Sequence, residues 1–208
     1  MNTVAELVSP KFQIPAIGAA FEGGFHAGII NIDGKPFALI ASPKFDGEHD
    51  DIAWNDNKNR IVGAESYCDG MANTETMAAA GSALAQWARA LRIGGFDDWY
   101  LPSQDELEIC YRAFKPTDEK NTLYGRSGLN ASVLPSTYPY TETAPAQTSA
   151  DAFKEGAAEA FDDDWYWSST QLAGYDDCAW CQFFNYGTQS DYRKDDQCRA
   201  RAVRRVAI

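Results

Sequence analysis

The chain has 208 residues, 18 Lys and Arg against 30 Asp and Glu, and a formal net charge of −12. That length suits one ordinary domain that can bury its own core, and 45% hydrophobic with 23% charged residues describes a globular chain, not a disordered one. The acidic balance excludes a sequence-independent nucleic-acid binder, which needs Lys and Arg to release counterions from phosphates.

Met1 to Gly18 carries Glu6, Pro10, Lys11 and Pro15, with no apolar core after a basic start, so no secretion signal is expected there. No stretch approaches the roughly 18 consecutive apolar residues of a membrane span, and no membrane insertion is expected. Phe25 to Ile32 and Lys35 to Ile40 flank Asp33-Gly34, the pair that supplies positive φ to a tight β-hairpin turn. Residues 42–60 are rich in Asp, Asn and Gly and read as a loop. A first helix is expected from Asn73 or Thr74, with Met77, Leu84, Trp87, Ala88 and Leu91 on one face and Gly94-Gly95 ending it. Ser103-Gln104-Asp105-Glu106 is a capping box, followed by Leu107, Cys110, Tyr111 and Phe114 at helical spacing until Pro116. Residues 116–150 read as a long surface excursion. From Trp165 onward short strands are expected, with Val203 and Val206 in a closing strand.

Candidate chemistry is sparse. The five cysteines are Cys68, Cys110, Cys178, Cys181 and Cys198, an odd number that does not make a disulfide framework. Cys178-Ala179-Trp180-Cys181 is a C-x-x-C without the second pair or nearby histidines of a zinc site, and it sits among strand-like residues, not at a helix start. No cofactor is expected. A structural calcium ion is left open at Asp50-Asp51, Asn55 to Asn59 or Asp162-Asp163-Asp164, although Arg60 stands where a calcium loop counted from Asn55 needs glycine. Trp54-Asn55-Asp56 spells a tripeptide of calcium-dependent lectins, but its partner motif is missing. Arg199, Arg201, Arg204 and Arg205 read as neutralising the acidic segment just before them and edging the last strand.

Gly94-Gly95-Phe96-Asp97-Asp98-Trp99-Tyr100-Leu101-Pro102-Ser103-Gln104-Asp105-Glu106-Leu107 resembles the GG-x-x-DWRLPT-x-x-EL signature of Lcl C-terminal-type domains. Tyr100 replaces the usual Arg, and Ser103 replaces the usual Thr while keeping the helix cap. Tyr166-Trp167-Ser168-Ser169-Thr170, Ala179-Trp180, Phe184, Gly187 and Arg199 to Val203 resemble the C-terminal pattern of the same family. The family is similar to the formylglycine-generating-enzyme branch of the C-type lectin fold. The resemblance implies an α+β domain at 46–208, with two helices beside a small twisted antiparallel sheet. Residues 1–45 would precede it as an extension bearing the hairpin, and a loop insertion would span about 116–150.

A subset of that family looks closer still: the variable proteins of diversity-generating retroelements, in which template adenines are randomised as the gene's 3′ end is rewritten. Changes at the adenines of Asn codons reach Tyr, Asp, Cys, Ser, Thr, Phe and Arg, the residues over-supplied at about 171–198. The resemblance implies a varied ligand-binding set: Tyr175, Asp176, Asp177, Cys178, Cys181, Phe183, Tyr186, Thr188, Ser190, Asp191, Tyr192, Arg193, Asp195, Asp196 and Cys198. Ala179-Trp180, Phe184, Gly187 and Lys194 would be scaffold. If Trp180, Gln182 and Phe184 face inward, Cys181 and Phe183 face outward, and such a mixture resembles an antibody paratope. Fifteen residues at roughly 30–40 Å² each cover about 500 Å², short of the ~800 Å² per partner of a standard interface, so neighbouring loops or repeated copies would have to contribute.

The expected function is therefore binding, not catalysis. The partner would be a protein or glycan receptor on a target cell, with a homo-oligomer left open. The protein would sit at a phage tail tip, or in the cytoplasm before release, with the cell surface as the alternative location. One rival is a fixed-specificity adhesin or lectin-like domain. The other is a formylglycine-generating-type oxidase, which needs a reactive cysteine pair.

Overall fold

The computed structural model describes residues 13–124 and 126–208. Residues 1–12, part of the segment read for a leader, lie outside them. β1 (Ala20–Phe21) and β2 (Gly24–Ile32) lead through Asp33-Gly34 into β3 (Lys35–Ala41). Both turn residues have positive φ, 51° and 79°, as the hairpin requires. A bulge separates His26 from Gly28 in β2. Gly28 has φ 153°, and a Cβ there would meet Ile109 Cγ2 at 2.8 Å, so the bulge brings the strand close to that side chain.

The loop expected at 42–60 is partly ordered. It holds a single helical turn, α1 (Lys44–Gly47), and β4 (Glu48–Ala53). β4 is the outer strand of its sheet, so its polar residues face solvent and its sequence lacks the apolar alternation of a buried strand. The single helix expected from Asn73 or Thr74 to Gly94 is two helices, α2 (Gly70–Ala79) and α3 (Ala83–Ala90). Asp69, not Asn73 or Thr74, caps α2 by accepting from the Ala72 N–H. Gly81 turns the chain at φ 91°. Ser82 then caps α3, and its hydroxyl donates to the Trp54 carbonyl at 2.6 Å. Met77, Leu84 and Ala88 join one core across the break, so apolar periodicity alone does not reveal it.

α4 (Gln104–Phe114) begins at the expected capping box. Ser103 Oγ accepts from the Glu106 N–H, and Glu106 Oε2 accepts from the Ser103 N–H at 2.8 Å. Residues 116–150 carry little regular structure beyond β5 (Val133–Leu134), which pairs with β2. The C-terminal strands follow: β6 (Trp165–Gln171), β7 (Cys178–Phe183), β8 (Gln189–Arg193), β9 (Gln197–Arg201) and β10 (Val203–Ala207).

Two five-stranded sheets result, one in the order β1-β2-β3-β10 with β5 on β2, the other β4-β9-β6-β7-β8. All pairings are antiparallel except β6 with β9. β10 pairs with β3 along its length, so the N-terminal hairpin is tied to the C-terminal strand. Ile30 and Leu39 of the hairpin share one core with Tyr111 and Phe114 of α4 and with Tyr166 and Phe184. The hairpin assigned to an extension at 1–45 is thus packed into the same body as residues 46–208. Stacked rings lie at the centre of this core, Phe114 on Phe153 at 3.8 Å and Phe161 on Phe184 at 4.0 Å. α2 and α3 contribute a second core, with Trp54, Trp167 and Ala200.

Candidate ligand-binding surface

The phase of β7 against β8 decides which side chains reach solvent. The Phe183 N–H donates to the Thr188 carbonyl, and the Lys194 N–H donates to the Asp177 carbonyl. Cys181 therefore faces Ser190 and Ala179 faces Tyr192 across the ladder. Cys181 and Phe183 share one face of β7, while Cys178, Trp180 and Gln182 lie on the other.

Thirteen of the fifteen candidate residues are exposed or half-buried: Tyr175, Asp176, Asp177, Cys178, Phe183, Tyr186, Thr188, Ser190, Asp191, Tyr192, Arg193, Asp195 and Asp196. Two are not. Cys181 is 0% and Cys198 1% exposed, which corrects the expectation that Cys181 faces solvent. The cause is that this face of β7 packs into the second core, where Cys181 sits with Trp167, Ala179, Cys198 and Ala200, and Tyr192, its ring 4.9 Å from Trp165 and 6.4 Å from Trp167, closes the margin over the thiol. Cys181 Sγ donates to the Ser190 carbonyl, and burial beside Cys198 pushes its pKa far up. Cys178 is half-buried on the opposite face, and desolvation with Asp177 and Asp191 nearby raises it to about 11. The C-x-x-C thiols are thus a divided pair of protonated groups.

The outer corner of this sheet is aromatic. Tyr192, Trp165, Phe183 and Tyr186 form a row with successive centroids 4.9, 5.2 and 4.6 Å apart, and tilts between 43° and 50°. Tyr175 stands exposed at the opposite end of the segment, beside Asp176 and Asp177. Several of the acids are partly neutralised: Asp195 by Lys58 at 2.5 Å, Asp177 by Arg193 at 3.7 Å and Asp176 by Arg60 at 3.8 Å. Arg60 also lines a cleft of about 410 Å³ with Asn55, Asn57 and Asn59, next to the segment.

Beneath the exposed residues lies a fixed frame. Lys194 is fully buried, donates to the Asn59 carbonyl and to Gln171 Oε1, and stands 4.8 Å from the Trp54 ring centroid. Burial lowers it to about 8. Gln182 donates to the Tyr140 hydroxyl and accepts from Gln189, while Tyr140 donates to Glu108 on α4. The excursion docks here too: the Thr122 N–H donates to the Tyr186 carbonyl, and the Thr117 hydroxyl is 2.8 Å from Asn185 Oδ1. The excursion, expected to run over the surface, is thus bonded to the candidate segment, and Trp165 is half-buried with its ring against Tyr192 and Phe183. These long-range contacts are tertiary facts without a local signal.

The C-terminal arginines pair with acids from distant elements, not with the segment just before them. Arg199 is shared among Glu48, Asp50, Asp162 and Asp164. Arg201 is buried on Glu159, Arg204 forks onto Asp98, and Arg205 reaches Asp69. Trp54 and Asn55 are buried, so the lectin-like tripeptide is structural here. Among the described residues no group of three or more His, Cys, Asp or Glu is placed to hold a metal ion.

The Lcl C-terminal domain profile matches residues 46–204. The chain belongs to the Lcl C-terminal domain family. The fold of this Lcl C-terminal domain is C-type lectin-like, an α+β body of four helices with curled antiparallel sheet and N-terminal strands. No curated protein matches the chain. Tyr100, where the family signature has Arg, donates its hydroxyl to Glu106 Oε1 at 2.6 Å. The guanidinium of Arg205 lies 5.7 Å from the Tyr100 ring. A hydroxyl therefore fulfils the hydrogen-bonding demand of the buried carboxylate, and Arg205 supplies the charge nearby.

Proposed function

We propose that this Lcl C-terminal domain is a ligand-binding module of the formylglycine-generating-enzyme branch, whose C-terminal surface is varied by a diversity-generating retroelement. Its role is receptor binding at a phage tail tip or recognition at a cell surface, with a protein or glycan as ligand. The observation that carries this reading is the division of residues 175–198 by burial. Ala179, Gln182, Phe184, Gly187, Gln189 and Lys194 are buried, and the residues reachable from Asn codons lie between them, thirteen of fifteen at least partly open. Random exchange is tolerated at solvent-facing positions and not within a packed core. A binding role also suits Cys178 and Cys181, which lie on opposite faces with raised pKa values, unlike a reactive thiol pair.

The second reading is a fixed-specificity adhesin, favoured by the burial of Cys181 and Cys198, where random replacement would cost stability. Sequencing the DNA downstream of the gene separates the two. The first reading expects a near-identical copy of the 170–205 coding stretch, differing at template adenines and lying beside a reverse-transcriptase gene. The lack of any second copy favours the fixed adhesin.

A further inference from the structure

The row Tyr192, Trp165, Phe183 and Tyr186 crosses three strands, with Trp165 and Tyr192 half-buried at the margin of the core that α2 and α3 share. Its members differ in kind. Phe183, Tyr186 and Tyr192 belong to the candidate varied set, whereas Trp165 precedes it and stays the same in every version of the surface. The indole N–H groups of Trp54, Trp99, Trp167 and Trp180 all donate to internal acceptors. Those of Trp87 and Trp165 meet no acceptor among the described residues, and of the two only Trp165 stands in the row, where its N–H is free for a ligand.

The surroundings of the row are acidic. Asp164 Oδ1 accepts from the backbone N–H of Trp165 at 2.7 Å. It shares the guanidinium of Arg199 with Glu48, Asp50 and Asp162, of which Glu48 and Asp162 also pair with Lys44, so Arg199 at 3.4 Å is the one cation on Asp164 among the described residues. Asp164 and Asp196 both act electrostatically on the Tyr192 hydroxyl, which locates them at the row. Asp196 takes part in no ion pair among the described residues, while Asp191, opposite Trp180, lies on the other face of the sheet.

Rings flanked by Asp196, which has no ion pair among the described residues, and by Asp164, which shares its one cation, attract a cation twice over, through the π face and through the charge. The rings touch one another at tilts of 43–50°, so they share no flat platform for a sugar, whereas a guanidinium or ammonium group needs the outer face of one ring only. We infer that this corner seats a Lys- or Arg-bearing segment of a protein partner, with Trp165 and Asp164 as its fixed anchors. The inference rests on the reading of this face as the binding surface. It adds that a preference for basic protein ligands belongs to the scaffold, while Phe183, Tyr186 and Tyr192 select among them.

The test uses the full chain, titrated with hexa-arginine, hexa-glutamate and maltohexaose, and follows the indole N–H resonances by NMR. Hexa-arginine should shift the Trp165 resonance and bind more weakly as salt rises. Trp165→Leu should weaken binding roughly three- to thirtyfold, as loss of a cation–π contact implies, and Trp165→Phe should restore part of it. A Trp165 resonance unmoved by hexa-arginine overturns the inference, as does a folded Trp165→Leu protein with unchanged affinity. A shift produced by maltohexaose instead also overturns it, in favour of a glycan ligand. If Trp165→Leu fails to fold, the titration of the unmodified chain still decides. None of these failures touches the downstream-copy test, so the inference and the reading beneath it fail separately.

Discussion

Tyr192 on β8 and Trp165 on β6 hold their rings 4.9 Å apart across the intervening strand β7. This contact spans the sheet diagonally and closes over Cys181, which local alternation places in solvent. The contact predicts the chemistry of the thiols. In the native protein Cys178 should react with a maleimide, and faster as pH rises toward about 11, while Cys110, Cys181 and Cys198 stay protected. Tyr192→Ala should open Cys181 to labelling without unfolding the chain. Mass spectrometry of the labelled peptides reads both outcomes, and an already reactive Cys181 in the unmodified protein would contradict the roof.

Tyr100 and Glu106 form a second buried pair, with both groups inaccessible. Tyr100→Phe leaves Glu106 Oε1 without its donor, which should lower stability by about 1–3 kcal/mol in urea unfolding. A change below about 0.5 kcal/mol would show that the hydroxyl is dispensable.

Asp105 gives a pH signature opposite to that of an ordinary surface carboxylate. Desolvation raises it to about 6, against the lowering effects of Ser132 and Arg126. The folded state then binds more protons than the unfolded state between about pH 4 and 6. Its contribution to stability is complete below the unfolded pKa and is lost as pH rises through about 6. Glu48 and Glu106 are also raised by burial and act in the same direction. Unfolding free energy should therefore fall from pH 4 toward 7, and Asp105→Asn should flatten that slope.

Lys194 anchors the β8–β9 turn through Asn59 and Gln171. Lys194→Met removes two hydrogen bonds, but Asn59 is exposed and Gln171 Oε1 keeps the Ile61 N–H, so the variant should cost about 1 kcal/mol, partly offset by removing a desolvated charge. The same variant should accelerate amide hydrogen exchange at residues 189–197 more than in α4. Uniform acceleration would mean that Lys194 stabilises the whole body and not the turn.

Much of this architecture is legible in the sequence because its signals are local. Asp33-Gly34 announces the hairpin, Ser103 to Glu106 the start of α4, and Val203 and Val206 the closing strand. The break between α2 and α3 was written in Gly81-Ser82, a glycine that turns the chain followed by a capping serine. An apolar stripe continuous across both helices outweighed it. β4 escaped notice because an outer strand satisfies solvent on one side and needs no alternation. The burial of Cys181 and the partial burial of Trp165 had no local signal at all. Both depend on residues brought together by the sheet, Tyr192 of β8 among them.

The central claim is that a constant frame carries an exchanged surface, and deep sequencing of the 171–198 coding stretch across a natural population tests it most directly. The account predicts substitutions concentrated at the thirteen open positions, from Tyr175 to Asp196, with Ala179, Gln182, Phe184, Gly187, Gln189 and Lys194 constant. A population with one invariant sequence there, or with substitutions spread evenly over buried and open positions, would contradict it.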